Sequence, residues 1–101
     1  MLESFLDVYS IINNKKNKNI IIIFGKDSCY YCENAVQTLQ KYNIPYKYIN
    51  IEKNYKNFFQ FLKEISQKYN HINFNENHKT VPVIFFNSKF IGGYSDLVKF
   101  F

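Results

Sequence analysis

The most informative segment of the chain reads Ile20-Ile21-Ile22-Ile23-Phe24-Gly25-Lys26-Asp27-Ser28-Cys29-Tyr30-Tyr31-Cys32. It opens with five β-branched or aromatic residues in a row, which is typical of a strand buried on both faces, and Gly25 ends that strand. Ser28 can then cap a helix. The apolar residues that would face inward from this helix recur at helical spacing: Ala35, Val36, Leu39 and Tyr42. We therefore predict that the two cysteines lie in the first turn of a helix that follows a buried strand.

The remaining apolar residues define the order of the other elements. Helical spacing predicts a helix over the first dozen residues and another over Tyr55–Tyr69. Strands are predicted at Tyr46–Ile51, and at Val83–Phe86 and Lys89–Ile91, which a tight turn joins. Tyr94–Phe101 leaves room for a short final helix. This order predicts an α/β fold in which helices flank a four-stranded mixed sheet.

Composition limits the class of protein. The chain has 101 residues, of which 47% are hydrophobic and 21% charged, so we expect one packed domain over 1–101 rather than disorder. The net charge of +5 favours anionic partners. A nucleic-acid module would show a clustered basic face, whereas the only dense lysine run, Asn13–Asn19, is interpreted as a solvated loop. We therefore expect no nucleic-acid partner, and a monomer.

The sequence also bears on the compartment. The longest apolar run, Ile20–Phe24, falls far short of the roughly 20 residues that a membrane helix needs. The N-terminus carries Glu3 and Asp7 and lacks the basic and apolar regions of a secretory signal. We expect no membrane association and a reducing, cytoplasmic location. In that compartment two closely spaced cysteines indicate redox or metal chemistry.

Cys29 and Cys32 are expected to act as a reactive pair. One helical turn separates them, so their side chains share a face at a spacing compatible with a disulfide. The start of a helix offers free N–H groups and the positive end of the macrodipole, and both stabilise a thiolate. Lys26 adds a cation nearby, while Asp27 opposes it. We predict that Cys29 has the lower thiol pKa and is the nucleophile.

Other interpretations of the pair stay open at this point. The two cysteines could simply be buried free thiols. A zinc site needs four ligands, and the only other candidates, His71 and His78, begin far along the chain. A cysteine hydrolase needs a histidine base, and neither histidine has a supporting motif. We expect both histidines in an exposed polar loop, Asn70–Lys79, and no metal site.

Three motifs then occur in order: Gly25-Lys26-x-x-Cys29-Tyr30-Tyr31-Cys32, Thr80-Val81-Pro82 and Ile91-Gly92-Gly93-Tyr94-Ser95-Asp96-Leu97. Together they resemble the glutaredoxin family over nearly the whole chain. The last motif and the small size also resemble glutaredoxins of large DNA viruses, which would put the protein in a host cytoplasm. The resemblance implies a thioredoxin-like fold and a glutathione-dependent thiol–disulfide oxidoreductase.

The resemblance implies one wall of a glutathione groove around Pro82. A cis-proline opposite Cys29 would turn the N–H and C=O of Val81 toward an extended glutathione. Thr80 would help line the groove, and Tyr31 would form a side of it. From the residues alone, Pro82 could equally be an ordinary proline at the start of a strand.

The resemblance implies that the charged ends of glutathione are bound elsewhere. Gly92 and Gly93 permit a sharp turn and a close approach of the backbone. Ser95 and Asp96 would bind the γ-glutamyl end, with Asp96 meeting its ammonium, and Lys26 would meet the glycyl carboxylate. From the residues alone, the glycine pair could be only a turn and Asp96 only a cap for the last helix.

The chain departs from the usual family pattern between the cysteines, near Gln60 and in the length of the loop before Thr80. Tyr30 stands where proline is common between the cysteines, which removes a rigid helix start and changes the redox properties. Gln60 is the available substitute for a residue that often reaches the glycyl end. Lys79 stands where a basic residue often occurs, at the end of a loop that is longer than usual.

The resemblance finally implies a catalytic cycle with two alternatives. Cys29 would attack protein disulfides or glutathionylated proteins, a second glutathione would regenerate it, and Cys32 would resolve intermediates with protein disulfides. One alternative is a thioredoxin-like electron donor that ignores glutathione. The other is a protein that holds a [2Fe-2S] cluster between two subunits through its first cysteine and glutathione. Lys26 and Asp96, as a charged recognition pair, favour the glutathione-dependent enzyme.

Overall fold

The computed structural model of the chain describes residues 2–101. Its strands are β1 (Ile21–Gly25), β2 (Tyr46–Asn50), β3 (Val83–Phe86) and β4 (Lys89–Gly92). They form one sheet in the order β2-β1-β3-β4. Strands β1 and β2 are parallel, whereas β3 is antiparallel to both β1 and β4. The predicted four-stranded mixed sheet is confirmed.

Helices cover both faces of this sheet. They are α1 (Phe5–Ile12), α2 (Tyr30–Lys41), α3 (Tyr55–Lys68) and α4 (Tyr94–Phe100), with short 3-10 turns at Lys15–Asn17, Glu52–Asn54 and Asn70–Ile72. Helices α1 and α3 pack on one face of the sheet, and α2 and α4 pack on the other. Within residues 2–101, none of the helices combines the length and the apolar character needed to cross a bilayer.

Strand β1 lies in the middle of these layers because both of its faces are apolar. Successive side chains of a strand point to opposite faces. Ile22 and Phe24 are buried with α1 and α3, whereas Ile21 and Ile23 are buried with α2 and α4. Each of the four is at most 2% exposed, and burying such a side chain contributes about 1.5–3 kcal/mol. The cysteine segment that follows β1 is therefore anchored to the best-packed strand of the protein.

Helix α2 begins one residue later than predicted. Ser28 adopts a left-handed conformation with φ of 54°, and Cys29 is the N-cap residue. The prediction that Ser28 caps the helix was wrong, because the turn at Ser28 brings the sulfur of Cys29 over the free N–H groups instead of the hydroxyl. The prediction for Tyr42 was also wrong. This residue follows the end of α2, where the chain turns away, and its side chain is 61% exposed.

The hairpin between β3 and β4 forms as predicted. Asn87 and Ser88 both have positive φ, 49° and 68°, as a tight two-residue hairpin turn requires. The Oδ1 of Asn87 accepts the backbone N–H of Asn19 at 2.7 Å, which ties the lysine-rich run to this turn. That run is exposed as predicted except for Asn17, whose Nδ2 donates to the carbonyl of Ile11 at 2.9 Å.

The segment Asn70–Lys79 is less exposed than predicted. It begins with a 3-10 turn whose last residue, Ile72, is fully buried, and Phe74 packs on Phe90 with ring centroids 4.8 Å apart. Burial of these two apolar residues holds the loop against the sheet. The prediction that both histidines lie in an exposed loop was half wrong, because only His71 is exposed and His78 is half-buried.

Candidate active site

The two cysteines lie at the end of β1 and the start of α2. They are joined by a disulfide, and their Cα atoms are 5.2 Å apart. The Sγ of Cys29 accepts a hydrogen bond from the backbone N–H of Cys32 at 3.2 Å. Cys29 is 8% exposed, whereas Cys32 is fully buried. Of the two cysteines, only Cys29 has any surface exposed to solvent.

Close packing beneath the disulfide accounts for Gly25. A Cβ at this position would lie 2.9 Å from the Sγ of Cys32 and would also collide with the hydroxyl of Tyr48, so only glycine fits. The Tyr48 hydroxyl donates to the carbonyl of Lys26 at 3.1 Å. Burial, and then the nearby carboxylates of Asp27 and Glu33, raise the pKa of Tyr48 above its usual value.

An open groove of about 290 Å³ lies next to the cysteine segment. It collects every predicted glutathione-binding residue except Lys26, and its wall includes Tyr31 from the first turn of α2. The residues that line it are Tyr31, His78, Thr80, Val81, Pro82, Gly93, Tyr94, Ser95 and Asp96. Residues that are distant in the sequence therefore converge on one surface.

One wall of the groove is the segment before β3. The Val81–Pro82 peptide bond is cis, as the resemblance implied. Pro82 is buried, Val81 is half-buried, and Thr80 is exposed at the rim. Strand pairing starts only at Val83, which pairs with Phe24 of β1. The backbone of Val81 thus lies outside the sheet and beside the groove.

The opposite wall is the start of α4. Gly92 has φ of 133°, and a Cβ there would collide with the Asp96 carboxylate, so this position requires glycine. The backbone N–H of Gly93 donates to Oδ2 of Asp96 at 3.0 Å. The interpretation of Asp96 as a cap for the last helix therefore holds, and Asp96 also lines the groove.

Lys26 lies apart from this groove. Its Nζ is 4.9 Å from the ring centroid of Tyr55, at the start of α3. From the sequence, we expected the carboxylate of Asp27 to offset the positive charge of Lys26 near Cys29. In the structure, Asp27 accepts a hydrogen bond from Nδ2 of Asn50 at 2.8 Å. Gln60 is also outside the groove, in a separate depression that it shares with Lys79.

Sequence reasoning missed two residues of the groove, Tyr94 and His78. Tyr94 stacks on Tyr31 with ring centroids 6.1 Å apart, and it directly follows the Gly92-Gly93 pair, which is a signal that could have found it. His78 precedes Thr80 by two residues in a segment without periodicity. No local pattern marks it, because its place depends on contacts across the fold.

Comparison with known proteins agrees with this arrangement. A sequence model of the glutaredoxin family matches residues 21–91. A probable glutaredoxin of Acanthamoeba polyphaga mimivirus is 39% identical over 79 residues, which cover 78% of this chain and 74% of the viral protein. Glutaredoxin-1 of ectromelia virus is 33% identical over 102 residues, or 98% of this chain and 82% of its own.

Solved structures share the fold. The crystal structure of a buckwheat glutaredoxin–glutathione complex superposes with a TM-score of 0.70 at 21% identity, over 94% of this chain and 76% of the buckwheat chain. The sheet order, the helix layers and this superposition define a thioredoxin-like fold with a redox-active cysteine pair. The family match and the viral relatives are more specific. The chain belongs to the glutaredoxin family, whose members are thiol–disulfide oxidoreductases.

Proposed function

We propose that the protein is a glutathione-dependent oxidoreductase that reduces glutathione mixed disulfides and protein disulfides. The observation that carries this proposal is the groove itself. It joins the Val81–Pro82 segment, the start of α4 and Tyr31, two residues after Cys29, on one surface. A groove bounded by backbone on one side and a carboxylate on the other suits an extended peptide that carries charge at its ends.

The N–H of Cys32 supports a reactive thiolate at Cys29. In the dithiol form this N–H, together with the start of α2, stabilises negative charge on the sulfur of Cys29. The thiolate attacks the glutathione sulfur of a mixed disulfide. A bond between that sulfur and Cys29 forms, the protein–glutathione bond breaks, and the protein thiolate leaves and takes a proton from water.

A second glutathione completes the cycle. Its thiolate attacks the glutathione sulfur on Cys29, which releases glutathione disulfide and restores the Cys29 thiolate. With a protein disulfide as substrate, the Cys29 thiolate bonds to one protein sulfur and releases the other as a thiolate. Cys32 then attacks the Cys29 sulfur, which releases the second protein thiolate and leaves the Cys29–Cys32 disulfide. Two glutathione molecules reduce this disulfide back to the dithiol and become glutathione disulfide. Burial of Cys32 supports that division, because a covered thiol can attack only the sulfur beside it.

The groove supports a specific orientation of glutathione. We propose that the backbone of Val81 pairs with the cysteinyl part of glutathione, as an added strand does, with Thr80 and Tyr31 flanking it. Asp96 and Ser95 hold the γ-glutamyl end, where the carboxylate of Asp96 meets the ammonium. Lys26 attracts the glycyl carboxylate from the direction of Tyr55. The buckwheat relative was crystallised in complex with glutathione, which is consistent with this proposal.

Single-cysteine variants test the roles of the two thiols. Cys29→Ser should abolish turnover of a glutathionylated peptide, because it removes the attacking sulfur. Cys32→Ser should retain that activity and lose most of the activity on a protein disulfide. A glutathione-coupled assay with each substrate measures both rates. Full activity of the Cys29→Ser variant, or the reverse pattern between the two variants, would contradict the assignment.

The same assay separates the alternative electron donor. A thioredoxin-like donor would show no saturation with glutathione, whereas the proposed enzyme saturates. The iron–sulfur alternative would hold its cluster through Cys29 and glutathione between two subunits, and absorbance spectra after anaerobic addition of iron test it. We further propose a monomer that works in a reducing, cytoplasmic compartment, where the disulfide is returned to the dithiol. Sedimentation of the purified chain tests the monomer.

A further inference from the structure

His78 connects the two walls of the groove. Its Nε2 lies 3.3 Å from the carbonyl oxygen of Pro82. On the other side, its Cε1 lies 3.3 Å from the position that a Cβ of Gly93 would occupy. The imidazole also meets the ring of Phe90 edge to face, with centroids 5.2 Å apart. The half-buried ring of His78 therefore packs between the cis-proline segment and the start of α4, and it is part of the groove's lining.

The hydrogen bond to Pro82 fixes the chemistry of the ring. A carbonyl oxygen can only accept, so Nε2 of His78 must carry the proton and donate it. The backbone N–H of His78 in turn donates to the carbonyl of Asn75 at 2.9 Å, which holds the histidine's own loop in place. The side chain is thus restrained from its loop, from the cis-proline wall and from the wall of Gly93.

We propose that His78 is a positioning residue that sets the distance between the Pro82 wall and the Gly93 wall, and so fits the groove to a glutathionyl group. This inference rests on the proposed function, since it concerns binding of glutathione in the same groove. Small displacements of either wall would misplace the backbone of Val81 relative to the carboxylate of Asp96. Glutathione spans both, so its binding depends on their separation.

The other histidine provides a matched comparison. His71 is exposed and lies edge to face against Tyr9 and Tyr69, with centroids 6.2 Å and 6.4 Å away. It lines none of the groove. A requirement for histidine that is specific to the groove should therefore appear at position 78 and not at position 71.

The experiment uses three variants and two substrates. His78→Leu fills space without a donor, His78→Gln can return an N–H donor to the carbonyl of Pro82, and His71→Leu is the control. The pre-reduced protein reacts in single turnover either with a glutathionylated peptide or with dithiodipyridine, a disulfide without glutathione. The second substrate reports the reactivity of Cys29 alone, and thermal unfolding reports whether each variant folds.

We expect His78→Leu to lower the second-order rate constant for the glutathionylated peptide about fivefold, the effect of one lost hydrogen bond. The rate with dithiodipyridine should be unchanged, His78→Gln should recover most of the loss, and His71→Leu should match the wild type. An equal loss with both substrates, or no loss with the peptide, would overturn the role of His78. If turnover by the wild type does not saturate with glutathione, the proposed function fails before any variant is compared.

Discussion

Cys29 and Cys32 are one helical turn apart, yet their surroundings give them different chemistry. Cys29 caps α2 through its sulfur and is slightly exposed. Cys32 is fully buried, and its sulfur lies close to Gly25 and Tyr48. The sequence indicated this inequality from position on the helix alone. It did not indicate Tyr48, which comes from β2 and reaches the site only because β1 and β2 pair in parallel.

At this scale we predict a pH-dependent role of Tyr48 in stability. Tyr48→Phe removes the hydrogen bond to the carbonyl of Lys26 and should lower the free energy of unfolding at pH 7 by about 1 kcal/mol. The pKa of Tyr48 is raised in the folded protein, chiefly by burial, so its stabilising effect is complete below pH 10. Above that pH, Tyr48 ionises more readily in the unfolded chain than in the folded protein, so the wild type loses stability. The Tyr48→Phe variant has no hydroxyl at this position and does not show that loss.

Urea unfolding of the oxidised protein between pH 7 and pH 11 measures this difference. The gap between wild type and Tyr48→Phe should narrow as the pH rises above 10. Tyr30→Phe serves as the control, because its ring is 70% exposed and should contribute little to stability. A gap that is constant or widens with pH would contradict the prediction.

At the scale of elements, the strands and long helices were predictable, whereas the start of α2 and the burial within the segment Asn70–Lys79 were not. Strand β1 shows an unbroken apolar run and α3 shows a helical repeat, and both patterns arise from burial of a regular face. The predicted start of α2 was one residue too early, because Ser28 takes a left-handed conformation that its residue type does not predict. The cap is decided by the backbone turn, which sequence pattern does not record.

The candidate site was predictable in so far as motifs mark it. Thr80-Val81-Pro82 and Gly93 line the groove where the resemblance put them. His78 was not predictable, because its ring meets Pro82, Gly93 and Phe90 only after β3, β4 and α4 have come together. Lys26 also could not be placed, since its neighbour Tyr55 comes from a different element.

Two variants of Asp96 separate its role at the start of α4 from its proposed role in glutathione binding. Asp96→Ala removes the acceptor for the N–H of Gly93 and should destabilise the protein by about 1 kcal/mol. Asp96→Asn keeps an acceptor oxygen but loses the charge, so it should unfold near the wild-type temperature. Both should lower kcat/KM for a glutathionylated peptide, by about threefold to tenfold, because the ammonium loses its partner.

Thermal unfolding and steady-state kinetics together test this pair. A stable Asp96→Asn variant with wild-type kinetics would show that Asp96 serves only as a cap. The dithiodipyridine rate is the internal control, since a substrate without an ammonium should react equally with all three proteins.

At the scale of the whole molecule, net charge and groove chemistry point to the same kind of substrate. The chain has a net charge of +5, and all 13 of its basic residues are lysines. Such a charge attracts anions over distances comparable to the Debye length. Glutathione carries two carboxylates and one ammonium, so under the proposed function we expect an acidic glutathionylated peptide to be attracted by the net charge and to bind through its glutathionyl group.

We therefore predict that substrate charge and salt act together. At about 10 mM ionic strength, an acidic glutathionylated peptide should react roughly tenfold faster than a basic peptide of the same length. The ratio should fall toward one at about 0.5 M salt, where the Debye length shrinks to a few ångströms. Stopped-flow rates at several salt concentrations measure it. A ratio that does not depend on salt would mean that local contacts, and not net charge, select the peptide.

The sheet order β2-β1-β3-β4 has a further consequence for how the molecule meets its own copies. Strands β2 and β4 are the two edge strands of the sheet, so each has one side that pairs with no other strand of the sheet. An unpaired edge strand can pair with a strand of another chain, which leads to aggregation. Each edge strand carries an exposed lysine, Lys47 on β2 and Lys89 on β4. Bringing two copies edge to edge would crowd these charges, so the lysines work against fibril-like growth.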